Sequence, residues 1–586
     1  MDNIHSLGIL RGHNSGACLV RDGEVVALVS EERFNRIKNT NAFPFQSAEF
    51  CLKSAGIAVN DLDALVYSSN GIGRADVDNL GHNDAYVSSR VGQYRPVAQL
   101  LQNPALYDLS LKLNYALLSR DLGIEGVRAC FSKALGARPG IVLSNDHHTN
   151  HAYAAFYGFC PAPEERTLVV TVDAEGDRSC SKVFVSQGGH LECIASTPGG
   201  RSFATFYGII TQLLGMKMNE HEYKIMGMAP YVSAYEKDKV LPLFEGLFGI
   251  NDDLTIRSKI EGYVPLYYHL RDALALRRFD GVCAAAQEAS ENWSASLVDK
   301  AARKTGIGRV CLGGGFFMNV KANMKIAGLD SVKQLHPCPS CGDESLPIGA
   351  AFHGYLEACK RKGIAPKPKP LPHLYLGPEF GREEISAALA ESGAAGKYEV
   401  SEPADILART ARLLADGEVV ARFAGRMEFG ARALGNRSIL AHPSKTALIR
   451  VINDQIKCRY FWMPFACTVL EERAKDYLVN PKGVDGSFMI ITFEATERAK
   501  RELAAGLHPY DFTCRPQVLS KAQNPSYHEL IRLFEKETGV GAVLNTSFNI
   551  HGEPIVCSPS DALSVFERSG LQNLALGPFM LRKRFR

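Results

Sequence analysis

The segment Asp146-His147-His148-Thr149-Asn150-His151 sets two imidazoles four residues apart. On a helix, positions i and i+4 share a face, so His147 and His151 can reach one metal ion. The competing reading is a polar helix start with Asp146 as its N-cap. His148 points elsewhere on such a helix and is the weaker ligand. A second candidate is Asp173, in Val172-Asp173-Ala174-Glu175-Gly176-Asp177. It ends an apolar run, and open α/β sheets bind ligands at the C-terminal ends of their strands. A carboxylate there can hold a metal or sit near a phosphate, or it can be an exposed turn aspartate.

Four further stretches carry chemistry. Residues 313–319 (GGGFFMN) end a short apolar run in glycines. Such a sequence lets a backbone approach a nucleotide closely, or simply makes a tight strand–helix turn. It matches neither the dinucleotide fingerprint nor the phosphate loop. Cys338-Pro339-Ser340-Cys341-Gly342-Asp343 holds a single CxxC, and structural zinc needs a second ligand pair that no suitable spacing supplies. Residues 425–437 (GRMEFGARALGNR), with Lys457 and Arg459 beyond, interleave cations with glycines. Arginine presents a planar fork to phosphate, so this pattern suits a polyanion, although charge runs are usually solvated loops. Cys514-Arg515-Pro516-Gln517 and Leu544-Asn545-Thr546-Ser547-Phe548-Asn549 follow, the latter offering hydroxyl and amide groups after an apolar strand.

Alternating strands and helices must position these groups. Residues 6–12, 16–21 and 24–30 read as strands, with Asp22-Gly23 as a hairpin turn. Residues 45–55 have helical spacing, and residues 62–68 form a short strand. Residues 75–135, polar with leucines at helical intervals, read as an inserted helical subdomain. Residues 140–144 are a strand, 147–159 a helix, and 167–173 (TLVVTVD) a strand buried on both faces. Helices follow over 203–214 and 282–304, and a strand over 309–312. Residues 360–372 (KRKGIAPKPKPLP) read as an extended linker. Beyond it come helices at 382–393, 403–415, 445–454, 524–537 and 559–568, and strands at 418–424 and 541–545. No internal repeat is visible.

Composition sets the limits. The chain has 586 residues, enough for two large domains, with 46% hydrophobic and 22% charged residues. Sixty-six basic and 63 acidic residues leave a net charge of +3, too small to imply nucleic-acid or membrane binding. No apolar run is long enough for a transmembrane helix, and the first residues carry no secretory pattern. Fifteen scattered cysteines, an odd number, suit a reducing cytoplasm.

Taken in order, the motifs resemble the NodU/CmcH family of carbamoyltransferases. The matching stretches are Gly12-His13-Asn14-Ser15-Gly16-Ala17, Glu31-Glu32-Arg33-Phe34-Asn35-Arg36, His147-His148-x-x-His151, Lys224-Ile225-Met226-Gly227-Met228-Ala229, Gly313-Gly314 with Asn319, residues 430–437, Arg515-Pro516-Gln517 and residues 544–549. Each is weak alone; the ordered set is highly specific and spans nearly the whole chain.

The resemblance implies an α/β protein of two domains. Residues 1–359 are expected to form an actin/sugar-kinase-like (ASKHA) domain like the tRNA-threonylcarbamoylation ATPase, with the helical insertion at about 75–135. Residues 360–373 are the linker, and residues 374–586 a YrdC-like domain. The implied chemistry is O-carbamoyl transfer: the second domain makes carbamoyl adenylate from carbamoyl phosphate and ATP with Mg²⁺, and the first passes the group to a hydroxyl of a small-molecule acceptor. His13 matches the general base. His147, His151, Asp173 and Asp343 match metal ligands, for Fe(II) first, with Mn(II) or Zn(II) also suited. Lys224, Gly313, Gly314 and Asn319 match nucleotide contacts. Arg432, Lys457, Arg515 and Ser547 match groups that hold ATP and carbamoyl phosphate. A monomer or homodimer without nucleic-acid or membrane partners is implied.

The chain departs from the family at Met463, where relatives carry a substrate-binding arginine; Arg422 is a candidate compensating cation. Ala431 replaces a usual proline and Tyr223 a glycine. A tRNA-modifying threonylcarbamoylation enzyme and a catalytically impaired nucleotide-binding homologue are the alternatives. The segments 75–135 and 232–280 depart most from the motifs and are the candidates for an acceptor pocket.

Overall fold

The computed structural model describes residues 3–70, 140–457 and 459–584. The expected helical insertion lies outside them. The chain forms two compact units: Met1–Glu31 with Asn39–Leu371, and Glu32–Lys38 with Pro372–Arg586.

The first unit contains two sheets of one plan. Strands β1 (His5–Leu10), β2 (Gly16–Arg21), β3 (Glu24–Ser30), β4 (Ala64–Tyr67) and β5 (Ile141–Ser144) pair in the order β3-β2-β1-β4-β5. The first three are an antiparallel meander, and β4 and β5 extend it in parallel from β1. Strands β6 (Leu168–Gly176), β7 (Ser179–Gln187) and β8 (His190–Pro198) repeat the meander. After a two-stranded ribbon, β9 (Phe248–Ile250) with β10 (Ile256–Ser258), strands β11 (Arg309–Gly313) and β12 (Gln334–Pro337) add in parallel from β6, giving β12-β11-β6-β7-β8. This doubled arrangement is the plan of the actin and sugar-kinase fold. It is a repeat of strand order that no repeat of residues announces.

The Asp22-Gly23 turn joins β2 to β3 with both φ angles positive (51° and 82°), which matches the twist of a two-residue hairpin. Leu168, Val169, Val170 and Val172 of β6 are fully buried, as an apolar run covered on both faces requires. The helices His147–Phe159 and Leu346–Lys362 touch backbone to backbone. A Cβ at Gly349 would stand 1.9 Å from the Asn150 carbonyl oxygen, so only glycine permits this approach.

The Pro/Lys-rich stretch differs from a free linker. The Leu346–Lys362 helix runs through its first three residues. The remainder is laid along the first unit: Lys367 N–H donates to the Tyr355 hydroxyl (3.0 Å), Lys369 N–H to the Gly23 carbonyl (2.8 Å) and Leu371 N–H to the Gly158 carbonyl (2.7 Å).

The second unit is built on a mixed sheet. Its strands are β13 (Tyr398–Ser401), β14 (Val420–Phe423), β15 (Arg437–Ala441), β16 (Ala466–Leu470), β17 (Leu478–Val479), β18 (Phe493–Ala495), β19 (Thr513–Cys514), β20 (Gln517–Leu519), β21 (Ala542–Ser547), β22 (Asn573–Leu576) and β23 (Phe579–Lys583). Eight of them pair in the order β13-β23-β22-β14-β15-β21-β16-β20, and β17, β18 and β19 form a small separate sheet. Phe423, Ile439, Leu544, Phe566 and Leu574 anchor the core, packed by amphipathic helices such as Pro559–Arg568. That helix begins with Ser558, whose hydroxyl accepts from Asp561 N–H (3.1 Å). Among the described residues no helix is long and apolar enough to cross a membrane. The described cysteines are free and, Cys193 apart, buried.

Candidate functional site

In the first unit, three elements converge. His147 and His151 lie in the opening turns of the His147–Phe159 helix. Asp146 caps it, accepting from Thr149 N–H (2.9 Å) and from the Lys182 ammonium (2.7 Å). Asp173 stands near the C-terminal end of β6. Asp343 opens the turn that leads into Leu346–Lys362. One ligand atom from each of these four residues falls within 4.8 Å of the others. The two Nε2 atoms are 3.2 Å apart. His151 Nε2 lies 3.3 Å from Asp173 Oδ2 and 3.6 Å from Asp343 Oδ1, and His147 Nε2 is also 3.6 Å from Asp343 Oδ1. Two imidazoles and two carboxylates at this spacing fit a divalent transition metal.

The surroundings fix these donors. His151 Nδ1 meets the Ser345 hydroxyl at 3.2 Å, which leaves Nε2 facing the carboxylates. Asp173 accepts from Gly315 N–H through Oδ2 (2.7 Å) and from Ala174 N–H through Oδ1 (2.6 Å). Burial opposes charge on His151, but hydrogen bonds to Asp173 and Asp343 prevail and raise its pKa to about 9. Burial likewise opposes charge on Asp173, and the two imidazoles and the Gly315 N–H hold it well below the usual carboxylate range. His148 serves the scaffold. Its Nε2 donates to the Ser179 carbonyl (3.1 Å) and its Nδ1 meets the Thr171 hydroxyl (3.0 Å), and burial pushes its pKa down to about 3. Asp177, at the end of the same acidic stretch, accepts from His147 N–H (2.7 Å) and from the Ser69 hydroxyl (2.7 Å).

His13 sits half-buried in the β1–β2 turn. Its neighbour Asn14 donates through Nδ2 to Glu344 Oε2 (3.3 Å), so this turn is tied to the residue beside Asp343. Glu344 also accepts from the Ser340 hydroxyl, fixing the Cys338–Gly342 loop. Cys338 and Cys341 join no metal-binding group among the described residues. Gly313 packs on the backbone of His151, where a Cβ would stand 2.8 Å from the carbonyl oxygen. A Cβ at Gly314 (φ 93°) would stand 2.3 Å from the Val172 carbonyl oxygen, so strand contact alone demands glycine here. Asn319 caps the Val320–Gly328 helix through Ala322 N–H (3.1 Å), and its amide exchanges hydrogen bonds with Gln287 (2.9 and 3.1 Å). Lys224 is buried on the separate helix Glu222–Met228. A cleft of about 500 Å³ in the 232–280 segment is lined by Glu261, Pro265, Tyr268, His269 and Asp272, among others.

In the second unit, Lys457 ends a π-helical turn, Asn453–Lys457. Its ammonium reaches the Ser547 carbonyl (2.5 Å), the Ser547 hydroxyl (3.2 Å), the Asn549 carbonyl (2.8 Å) and Asn549 Oδ1 (2.7 Å). Burial, then the charges of Arg459 and Lys38, hold it well below the usual lysine range. Arg515 is lowered by burial and then by Arg432 and Arg459. Lys38, Arg432, Lys457, Arg459 and Arg515 thus form one concentration of positive charge, suited to a polyanion. Four of these came from the sequence motifs. Lys38 did not, because it lies more than 390 positions from the other four and no local spacing marks it.

The other arginines of the glycine-rich stretch hold the loop. Arg437 is fully buried, stacks on Phe423 (3.6 Å) and donates to the carbonyls of Ala424 (2.9 Å), Gly425 (3.2 Å) and Pro378 (3.3 Å). Arg426 donates to the Leu376 carbonyl (2.6 Å). Glu428 accepts from the N–H groups of Leu434 (2.8 Å) and Arg437 (3.1 Å). Arg422, the candidate compensating cation, is buried and bound to its own surroundings. It donates to the Gly435 carbonyl (2.7 Å), Asn436 Oδ1 (2.8 Å) and the Ser526 hydroxyl (3.0 Å). Met463 is buried.

A doubled unit of the actin and sugar-kinase plan and a second α/β unit with an arginine-held loop define a two-unit α/β protein. The chain belongs to the carbamoyltransferase family: the model of the carbamoyltransferase N-terminus matches residues 5–352, and that of the C-terminus residues 411–583. Nodulation protein NolNO of Sinorhizobium fredii is 32% identical over 98% of this chain and 79% of its own length. An uncharacterized protein of Synechocystis is 31% identical over 99% of this chain and 97% of its own. Nodulation protein NolO of Bradyrhizobium diazoefficiens is 33% identical over 75% of this chain and 79% of its own. Solved structures align only loosely. The ROK hexokinase of Thermus thermophilus shares 15% identity at a TM-score of 0.29, over 61% of this chain and 100% of that one. The fold is therefore read from the strand order.

Proposed function

We propose that this carbamoyltransferase moves a carbamoyl group from carbamoyl phosphate to a hydroxyl of a small-molecule acceptor, by way of a carbamoyl adenylate. The observation that carries this reading is the pair of sites: a cation cluster in the second unit, and a two-imidazole, two-carboxylate set in the first. The second unit, read as YrdC-like, takes ATP with Mg²⁺ and carbamoyl phosphate: water cleaves the carbamoyl phosphate to carbamate and phosphate, and a carbamate oxygen attacks the α-phosphorus of ATP as pyrophosphate leaves. Arg432, Lys457 and Arg515 offset the phosphate charge, and Ser547 adds a hydroxyl donor. Arginine forks and a buried ammonium orient the anions before bond formation, which lowers the entropic part of the barrier.

In the first unit, His147, His151, Asp173 and Asp343 would hold Fe(II), or Mn(II) or Zn(II). A divalent ion supplies Lewis acidity there for a carbonyl or phosphoryl oxygen. His13 takes the proton of the acceptor hydroxyl as its oxygen attacks the carbamoyl carbon, and AMP leaves. Gly313 and Gly314 let the backbone lie close to the nucleotide, with Asn319 and Lys224 as further contacts. The Tyr268–Asp272 cleft is the place we assign to acceptor recognition. Free, buried cysteines suit a cytoplasmic setting, as a monomer or homodimer.

The test is pyrophosphate release from the purified protein given ATP, Mg²⁺ and carbamoyl phosphate, against a control without carbamoyl phosphate. Carbamoyl-phosphate-dependent release is expected and would show that Met463 is tolerated. ATP binding without release would point to an impaired second unit. Release that needs bicarbonate and threonine instead would favour the tRNA-modifying reading.

A further inference from the structure

Residues Glu32–Lys38 belong to the second unit although the chain on either side of them belongs to the first. Their side chains reach two loops. Buried Arg33 donates through Nη2 to the Gly430 carbonyl (2.9 Å), two residues before Arg432. Phe34 packs against Met427 and Ala433 of that loop, and against Ile555 and Cys557 of another. Arg36 spans the second loop, donating through Nη1 to the Ile555 carbonyl (2.7 Å) and through Nη2 to the Pro554 carbonyl (2.9 Å). Its Nε lies 3.4 Å from Asp561 Oδ1. Arg36 does this from a left-handed backbone (φ 61°), a conformation that persists in a non-glycine residue only where the surroundings fix it.

The second loop leads back to the cation cluster. Asn549 Nδ2 donates to the Ile550 carbonyl (2.9 Å) and the Glu553 carbonyl (2.8 Å), closing the turn that Arg36 grips one residue further on. The same amide presents Oδ1 to the Lys457 ammonium (2.7 Å) and to the Ser547 hydroxyl (2.6 Å). Arg33 and Arg36 therefore sit between the loop that carries Arg432 and the turn that seats Lys457.

We infer that Arg33 and Arg36 are positioning residues for the second unit's polyanion site. They set the spacing at which Arg432 on one loop and Lys457, seated by Ser547 and Asn549 at the head of the other, meet the same phosphate chain. The inference rests on the proposed reading of that site as one for ATP and carbamoyl phosphate. A guanidinium suits the role because its planar fork bridges two successive carbonyls, which an ammonium cannot do in one geometry.

The test uses the full chain, with inorganic pyrophosphate and ATP titrated calorimetrically into wild type, Arg36→Gln, Arg36→Lys and Arg33→Lys. The exposed pair Arg532–Glu529 (2.7 Å), on the helix Pro525–Thr538, provides a control, Arg532→Gln. Arg36→Gln is expected to weaken pyrophosphate binding by about tenfold or more, and Arg36→Lys by about threefold. KM for carbamoyl phosphate and ATP should rise more than kcat falls, metal content should stay at the wild-type value, and Arg532→Gln should bind as wild type. Wild-type affinity in a folded Arg36→Gln protein would overturn the inference alone. If Arg36→Gln does not fold, Arg36→Lys decides: unchanged affinity overturns the inference and threefold weaker binding supports it. Absence of pyrophosphate binding by wild type would overturn the site reading and the inference with it.

Discussion

Gly176 lies flat against the His147 imidazole: a Cβ at position 176 would stand 2.2 Å from the ring's Cγ. The glycine closes β6 three residues beyond Asp173, so one strand end supplies a ligand and the wall that seats another. Gly176→Ala is expected to push the His147 ring aside. Overpacking of this kind costs ~1–3 kcal/mol, or about 5- to 150-fold if it falls on metal affinity. Metal analysis after dialysis, with thermal melting as the control for folding, checks this. Wild-type metal content in the alanine variant would contradict it.

Burial, then the like charges of Arg432 and Arg459, hold Arg515 well below the usual arginine range, so the cations of this cluster repel one another. Arg515→Met should therefore stabilise the ligand-free protein, raising its melting temperature by ~2–4 °C per kcal/mol of repulsion relieved. The same variant should lose ~1.5–3 kcal/mol of polyanion binding, roughly 10- to 150-fold. Differential scanning fluorimetry with and without ATP reads both effects. Wild type should gain stability from the nucleotide and the variant much less.

Arg437 belongs to the same motif but should behave in the opposite way. Its guanidinium lies on Phe423 and donates to backbone carbonyls. Arg437→Lys leaves some of those carbonyls unsatisfied and should cost about 2–4 kcal/mol of folding stability. Urea denaturation measures the loss. Weaker ATP binding without loss of stability would show instead that Arg437 touches the ligand.

His442 gives the second unit an acid-sensitive element. Its ring is buried at 5.1 Å from that of Phe534, and Nδ1 accepts from Ser444 N–H (3.2 Å). Burial, then the charge of Lys445, push its pKa down to about 4. An unfolded histidine titrates near 6.5, so between about pH 6.5 and 4 the unfolded chain binds more protons. The contribution of neutral His442 is present above about pH 6.5 and lost as pH falls toward 4. His442→Asn, which keeps an acceptor, should shrink the loss of urea resistance between pH 7.5 and pH 5. An unchanged pH dependence would mean that His442 is not its source.

Local patterns in the chain specified much of this. The i, i+4 histidine pair, the carboxylate near the end of an apolar strand and the hairpin at Asp22-Gly23 are short-range features, and helix and strand periodicity alone places them. The helices Phe45–Ala55, His147–Phe159 and Pro559–Arg568 run over the residues their spacing predicts. Asp343 was different. By its own spacing it was an acid beside a lone CxxC, and only the family resemblance drew it to the histidines.

Tertiary structure decided the rest, because the deciding contacts join distant residues. His151 meets Ser345 across 194 positions, and Arg36 meets Ile555 across 519. The doubled strand order depends on pairing and chain direction, which unrelated apolar residues satisfy equally well, so no repeat of letters records it. Among the arginines of one glycine-rich motif, packing alone separates Arg437, bound to carbonyls, from Arg432, set among other cations. Residue type determines that a guanidinium must find oxygens; whether they belong to the backbone or to a phosphate depends on where the fold leaves it.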